Sequence, residues 1–288
     1  MDQRAELSEF LRIRRARLKP EDVGLPNVGR TRRVPGLRRE ELAQLAGVSV
    51  AYYTRLEQGN SGNVSGEVLD AIARALRLSD TEQAHLTHLA SPKTKKKRAA
   101  AAARPQRLRA ELQYLIDAMD SVPAYVLGRR MEILASNRMA RALLGDETTL
   151  PPEERNMARI VFLDPNSRDL YVDWECKAVE LVSALRLCAG CWPDDPLLSA
   201  LVGELSVKSE EFRTLWAAHT VREKGHGTKR LHHPLVGDLT LSYETLKLPA
   251  DQDMSLITFH AAPGSASEES MRLLGSWGLD TDTRPVNR

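Results

Sequence analysis

The segment LRREELAQLAGVSVAYYTRLEQG, Leu37–Gly59, constrains the fold more than any other part of the chain. Its first half predicts a helix over Arg38–Ala46. Gly47 supplies the left-handed conformation that ends such a helix and turns the chain. Ser49 is placed to cap a second helix. Within that second helix Tyr53 and Leu56 are three apart and share a face. With Leu42, Ala43, Ala46 and Val48 they form a small core, leaving Val50, Ala51, Tyr52, Thr54 and Arg55 pointing away.

Helical spacing continues on both sides of this pair. Leu7, Phe10, Leu11 and Leu18 predict a first helix stopped near Pro20. Val68, Leu69, Ile72, Ala73 and Leu76 predict another, and Leu86 and Leu89 a last one. Ser79 and Glu82 form a capping box at the start of that last helix. The reading is an all-α domain of five short helices over 1–90. The tract SPKTKKKRAAAAARPQ has no apolar period and is read as a basic, alanine-rich linker over 91–106. Beyond it the character changes. Leu108–Met119 reads as a connecting helix, Tyr125–Leu127 and Met131–Ala135 as strands around Gly128-Arg129, and Asn137–Leu144 as a helix. Amphipathic helices follow to His219, then strands at Thr228–His233, Leu239–Leu248 and Met254–Ala261, with a hairpin turn expected at Gly237-Asp238. Alternation puts Leu239, Leu241 and Tyr243 on one sheet face. Helices between terminal strands imply an α+β domain with an antiparallel sheet over 107–275, followed by a tail at 276–288.

The net charge of +2 hides an asymmetry. Met1–Gln106 holds 20 Lys+Arg against 12 Asp+Glu, while the remainder is acidic. A basic first part fits a polyanionic partner. Apolar residues make up 42% of the 288, enough for real cores, yet no apolar run nears the roughly 18–20 residues that span a membrane. The start lacks the apolar stretch of a secretory signal, and three cysteines fit a reducing compartment; the expected location is the cytoplasm.

An exposed helix start that carries donors and small apolar groups suits the DNA major groove. Arginine donates two bonds to guanine, and small apolar groups touch a thymine methyl. The pair therefore reads as a helix-turn-helix with its second helix as reader of double-stranded DNA. Leu42, Ala43, Ala46-Gly47-Val48-Ser49, Leu56, Glu57 and Gly59 resemble the lambda-repressor-like helix-turn-helix of the xenobiotic-response-element regulators. That resemblance implies base contacts by Val50, Ala51, Tyr52, Thr54 and Arg55, with Ser49 beside them and Arg38 and Arg39 on phosphate. Helix N-termini favour anions, which supports that placement independently. Such regulators bind as homodimers on paired half-sites. Arg30, Arg32 and Arg33 stand either as further phosphate or minor-groove contacts or as a solvated loop.

The stretch RRVPGLRREELAQLAGVSVAYYTRLEQGN, followed by VLDAIARALRLSDTEQAHL, is similar to the MmyB-like subgroup of these regulators. The likeness runs on through VLGRRMEILASNRMARALLGD, FLDPNSRDLYVDWE and the final strands. It departs from the subgroup at NSGNVSG, where a proline-containing loop is expected, and at Ser136, where an aromatic residue is common. The resemblance implies a PAS-like ligand-binding domain for a small apolar ligand, with fatty acid as the leading class and no other cofactor. Tyr125, Leu134, Leu144, Phe162, Trp174, Trp216, His219, Leu231 and Tyr243 are the candidate lining residues, each with ordinary core packing as its alternative. Arg222, Lys229 and Arg230 are candidate partners for a carboxylate head group. Asn137 is read as a helix cap.

No GxSxG, HExxH or phosphate-cradling glycine loop is present, so no catalytic residues and no enzyme are expected. Cys188-Ala-Gly-Cys191 offers two thiols at ligating or oxidisable spacing, but a structural zinc site takes four ligands and no second pair exists; no metal is expected. The alternative input is a protein partner or cysteine oxidation; an enzyme with an appended DNA-binding domain ranks third.

Overall fold

Caps and buried stripes set the first five helices as the sequence predicts. A computed structural model describes residues 2–25, 36–60, 62, 64–90, 106–222, 225–251 and 253–282. Arg30, Arg32, Arg33 and 91–105 of the linker lie outside them. Asp2 accepts the Arg4 amide at 3.0 Å and starts α1, Gln3–Arg17. α2 is Arg39–Leu45, α3 Val50–Glu57, α4 Gly66–Ala75 and α5 Asp80–Ala90. Gly47, at φ 68°, turns the chain between α2 and α3. Ser79 and Glu82 exchange the bonds of a capping box at 2.9 and 3.4 Å. Phe10, Leu42, Tyr53, Leu56, Ile72 and Leu86 close the core between these helices.

The chain divides into two units. The first comprises Met1–Arg104, Arg186–Val202 and Thr214–Arg222; the second comprises Pro105–Leu185, Gly203–Arg213 and Glu223–Arg288. The first unit thus contains two segments from far along the sequence. Within it Arg186 is fully buried. Its guanidinium donates to Glu6 at 2.6 Å and to the Trp216 carbonyl, meets His219 Nδ1 at 2.9 Å, and lies 4.1 Å from the Trp216 ring centre. Arg14, also buried, pairs with Glu82 at 3.0 Å and donates to the His219 carbonyl at 3.0 Å. His85 packs edge-on against Phe10 with ring centres 5.2 Å apart. Gly190 makes room for that imidazole, since a Cβ there would stand 2.7 Å from His85 Cε1 and Nδ1.

The second unit is built on one antiparallel sheet in the order β2-β1-β5-β4-β3. The strands are β1 Ala124–Leu127, β2 Ile133–Ser136, β3 His226–His233, β4 Gly237–Lys247 and β5 Ser255–His260. Leu239, Leu241 and Tyr243 are buried on one face, as the alternation predicts. The β3–β4 hairpin turns two to three residues earlier than expected. His233 pairs with Gly237, so 234–236 form a three-residue loop and Gly237, at φ 74°, opens β4. Three-residue hairpin loops need a left-handed residue at that end, and glycine meets the need.

α6, Ala110–Asp117, packs Leu112 and Ile116 against Val126, Ala135 and Leu256. Asn137 caps α7, Arg138–Leu144, by accepting the Ala140 amide at 2.8 Å. It also accepts the Ala124 amide and donates to the carbonyls of Ile116, Met119 and Val122. One buried amide thereby joins α6, β1 and α7. α8 is Met157–Leu163, α9 Asn166–Leu170, α10 Trp174–Cys191, α11 Pro196–Lys208, α12 Glu210–Ala217 and α13 Ala266–Asp282. No helix among the described residues is long and apolar enough to cross a membrane.

Candidate functional site

The α3 helix presents two unlike faces. Tyr53, Leu56 and Glu57 are buried, whereas Ser49, Val50, Ala51 and Arg55 are exposed and Tyr52 and Thr54 half-buried. Ser49 Oγ accepts the Tyr52 amide at 3.1 Å and fixes the start of the helix. Beneath it Glu57 accepts from Arg15 Nε at 2.8 Å, a second Arg15 nitrogen at 3.0 Å, and Arg39 Nε at 2.8 Å. Burial alone would raise the Glu57 carboxyl, but the Arg15 hydrogen bonds and charge outweigh it and hold the carboxyl low. Arg15 further donates to the Leu37 carbonyl at 2.6 Å, just ahead of α2. The buried Arg15–Glu57 pair, joined by the exposed Arg39, orients α3 against α1 and α2. Arg39 is therefore tied to the protein through Glu57, while Arg38 stands half-buried at the α2 cap, its amide donating to Glu41 at 2.7 Å. The sequence reading missed the Arg15–Glu57 pair. Its signal was an acidic residue four places after a core tyrosine, on the buried face.

The second unit holds a cavity of about 820 Å³. Ile133, Ala140, Leu143, Met157 and Ile160 give it an apolar wall. Tyr125 and Leu144, among the expected lining residues, border it. The other expected residues do not. Leu134 packs with the Leu112–Ile116 cluster. Phe162 stacks edge-on with Trp174 and Phe212, at 5.6 and 5.1 Å between ring centres, and Trp174 Nε1 donates to the Val161 carbonyl. Leu231 is buried and bridges to Tyr171. Tyr243 tilts against Phe259. Trp216 and His219 belong to the first unit, beside Arg186. Of the candidate head-group cations, Arg222 is in the first unit, Lys229 pairs with Glu180, and Arg230 pairs with Asp173.

Residues that the sequence did not single out complete the cavity. Met157, Ile160 and Tyr171 line it, as does His233, whose Nε2 meets the Ala142 carbonyl at 3.0 Å. Burial lowers the His233 imidazole, with that hydrogen bond in opposition. Lys177 lies behind Tyr171, its ammonium 5.4 Å from the ring centre, and burial lowers it to about 8, helped by the charge of Lys229. None of the three cysteines is in a disulfide, and no cluster of three or more metal-ligating side chains occurs among the described residues. Cys191 Sγ lies 3.5 Å from His88 Nδ1, and Cys188 is buried.

A helix-turn-helix in one unit and an α+β fold with a cavity in the other agree with two family models. The helix-turn-helix domain model matches residues 6–86, and the MmyB-like transcription regulator ligand binding domain matches residues 108–274. The chain belongs to the MmyB-like transcription regulators. No curated protein matches it. This MmyB-like regulator is accordingly a DNA-binding transcription regulator with a ligand-sensing domain. The cavity of the MmyB-like regulator lies within the sequence span of that ligand-binding domain.

Proposed function

We propose that this MmyB-like regulator reads duplex DNA as a homodimer through Val50, Ala51, Tyr52, Thr54 and Arg55, and that ligand in the cavity shifts DNA affinity. Arg38, Arg39 and Ser49 take the phosphates flanking the reader helix. The observation that carries this reading is the division of α3, with one face locked by Tyr53, Leu56 and Glu57 and the other open. The ligand has an apolar body, because the cavity wall is chiefly aliphatic. Fatty acid is the class that the subgroup resemblance offers for it.

Selection from a random duplex library, followed by titration of the selected site, tests the first half. Arg55→Ala is expected to lose about 1–3 kcal/mol at one base position and to relax preference there. Arg39→Ala is expected to weaken all sequences alike and to flatten the salt dependence. Unaltered preference in Arg55→Ala removes that residue from the readers. Repeating the titration with organic extracts of the native host tests the second half; an unchanged affinity with extract that binds the protein rejects ligand control.

A further inference from the structure

The polar groups of the cavity are more selective than its apolar wall. Tyr125 and Tyr171 line it and are only 3% and 4% exposed. Neither hydroxyl has a hydrogen-bond partner among the described residues. An unpartnered phenol at a cavity wall keeps hydrogen-bonding capacity for whatever enters the cavity. Each can donate to an oxygen or nitrogen of a guest.

Around the same cavity stand four carboxylates, Asp146, Glu147, Asp164 and Asp169, and no lysine or arginine. Asp146 caps a helical turn by accepting the Thr148 amide at 2.9 Å, and Asp164 accepts the Asn166 amide at 2.9 Å. Glu147 accepts from the Ser136 hydroxyl. None of the four forms an ion pair among the described residues. Thr148 holds the Asp146 carboxyl below its ordinary range, against some burial. The neighbouring Arg141 and Arg155 do not line the cavity, but their charges act on Asp146, and Arg141 donates to the Ser136 hydroxyl at 3.3 Å. Arg141 donates to the Ser136 carbonyl at 2.8 Å, and Arg155 donates to the carbonyls of Leu150 and Thr148 at 3.0 Å. Lys177 does not line the cavity, though its ammonium lies 5.4 Å from the Tyr171 ring centre. Of the two lining histidines, His233 has its imidazole pKa lowered by burial, and His232 lies 2.6 Å from Asp238.

An apolar body thus meets two free phenols inside and unpaired negative charge at the rim. A carboxylate guest would add a like charge to that rim, whereas a protonated amine would neutralise it. We infer that the cavity takes a cationic amphiphile: an apolar body with a hydrogen-bond acceptor for Tyr125 and Tyr171 and a protonated amine for the carboxylate rim. The inference rests on reading this cavity as the ligand site, and it departs from fatty acid in the sign of the head group.

The test uses the full chain and three ten-carbon probes that differ only in head group: decylamine, decanol and decanoate, each below its aggregation limit at pH 7. Calorimetric titration is expected to give decylamine about tenfold tighter binding than decanol, the summed effect of several partly exposed ion pairs, with decanoate weakest. In the double variant Glu147→Gln with Asp169→Asn, which leaves both helix-capping aspartates in place, the advantage of the amine is expected to fall below about threefold. Decanoate binding as tightly as decylamine, or an amine preference untouched by the double variant, overturns the charge inference while leaving the cavity as the site. The cavity reading has its own control in Ala142→Trp and Ile160→Trp, two bulky replacements at separate lining positions, with folding checked by circular dichroism. Loss of probe binding in either folded variant upholds the cavity as the site. Unaltered binding in both variants when folded, or no binding of any probe to the parent protein, overturns the cavity reading and the charge inference together.

Discussion

The two units give their polar groups different surroundings, and the first leaves Arg14 Nε, His85 Nδ1 and Arg186 Nε buried without hydrogen-bond partners among the described residues. In the first, Arg186 is fully buried and surrounded by Glu6, His219 and the Trp216 ring and carbonyl. In the second, Tyr125 and Tyr171 are largely buried residues that line open volume. A charge taken out of water must have its partners in the protein itself, since any vacancy is costly. A phenol at the wall of a cavity can leave its bond unmade until a guest arrives, at a smaller cost. The first unit is thereby built to hold one arrangement, and the second to accept company.

The sharpest way to break this comparison is to remove the charge at the centre of the first unit. Arg186→Leu is expected to cost that unit about 3–5 kcal/mol, because Glu6 loses its buried partner. Hydrogen exchange resolved by peptide is the measurement, with faster exchange in α1 and α5. The double variant with Glu6→Gln should recover part of the loss, and a cost below about 1 kcal/mol would show that the cluster is not what holds the unit closed.

A matched pair of truncations sharpens the contrast in packing. Phe10→Ala in the closed core is expected to cost about 3–5 kcal/mol, whereas Ile160→Ala, at a half-buried position already facing open volume, should cost about 1 kcal/mol. Denaturant unfolding of each variant decides the matter. Equal losses would mean that the cavity is no softer than the core.

Next in size is Gly190→Ala, expected to destabilise the first unit by about 1–3 kcal/mol through collision with the His85 ring. Pairing it with His85→Ala should relieve the clash. Normal stability of the single variant would show that the ring can move aside.

A further effect, reached by solvent alone, is one of pH. Burial, with the Arg186 charge, lowers His85 to about 3 and His219 to about 4. Both values lie below those of the unfolded chain, so between pH 6.5 and 4 the unfolded form takes up protons that the folded unit refuses. Stability is therefore complete at neutral pH and falls with acidification, by about 1.4 kcal/mol per pH unit for each histidine. His233 shifts the same way in the second unit. With two such groups against one, the first unit should respond more strongly in urea midpoints taken at pH 7, 6 and 5. A flat profile in the first unit would show that its histidines are charged in place.

Local signals were legible in the sequence where a residue acts on near neighbours. The Ser79–Glu82 box, the Asn137 cap and the Leu239–Leu241–Tyr243 alternation each follow from spacing alone. The hairpin was misplaced because Gly-Asp is a good two-residue turn, and only the pairing of His233 with Gly237 shows the longer loop. Long-range facts left no such mark. Helical periodicity in Arg186–Val202 reveals an apolar face without saying which core it joins. A cavity is volume that no residue fills, and no single position records it. The Cys-Ala-Gly-Cys spacing drew attention to its thiols, yet the residue with the clearest structural role there is the glycine between them.

Because the first unit draws on Arg186–Val202 and Thr214–Arg222, its assembly is bound to the direction of protein synthesis. The helices that carry the DNA reader leave the ribosome early, but the residues that complete their unit are translated more than a hundred codons later. At ordinary elongation speeds that is a wait on the order of ten seconds. A nascent or prematurely terminated chain would present the reader helix on an unfinished scaffold. Completion of the first unit is thus deferred until much of the ligand-binding domain has been made.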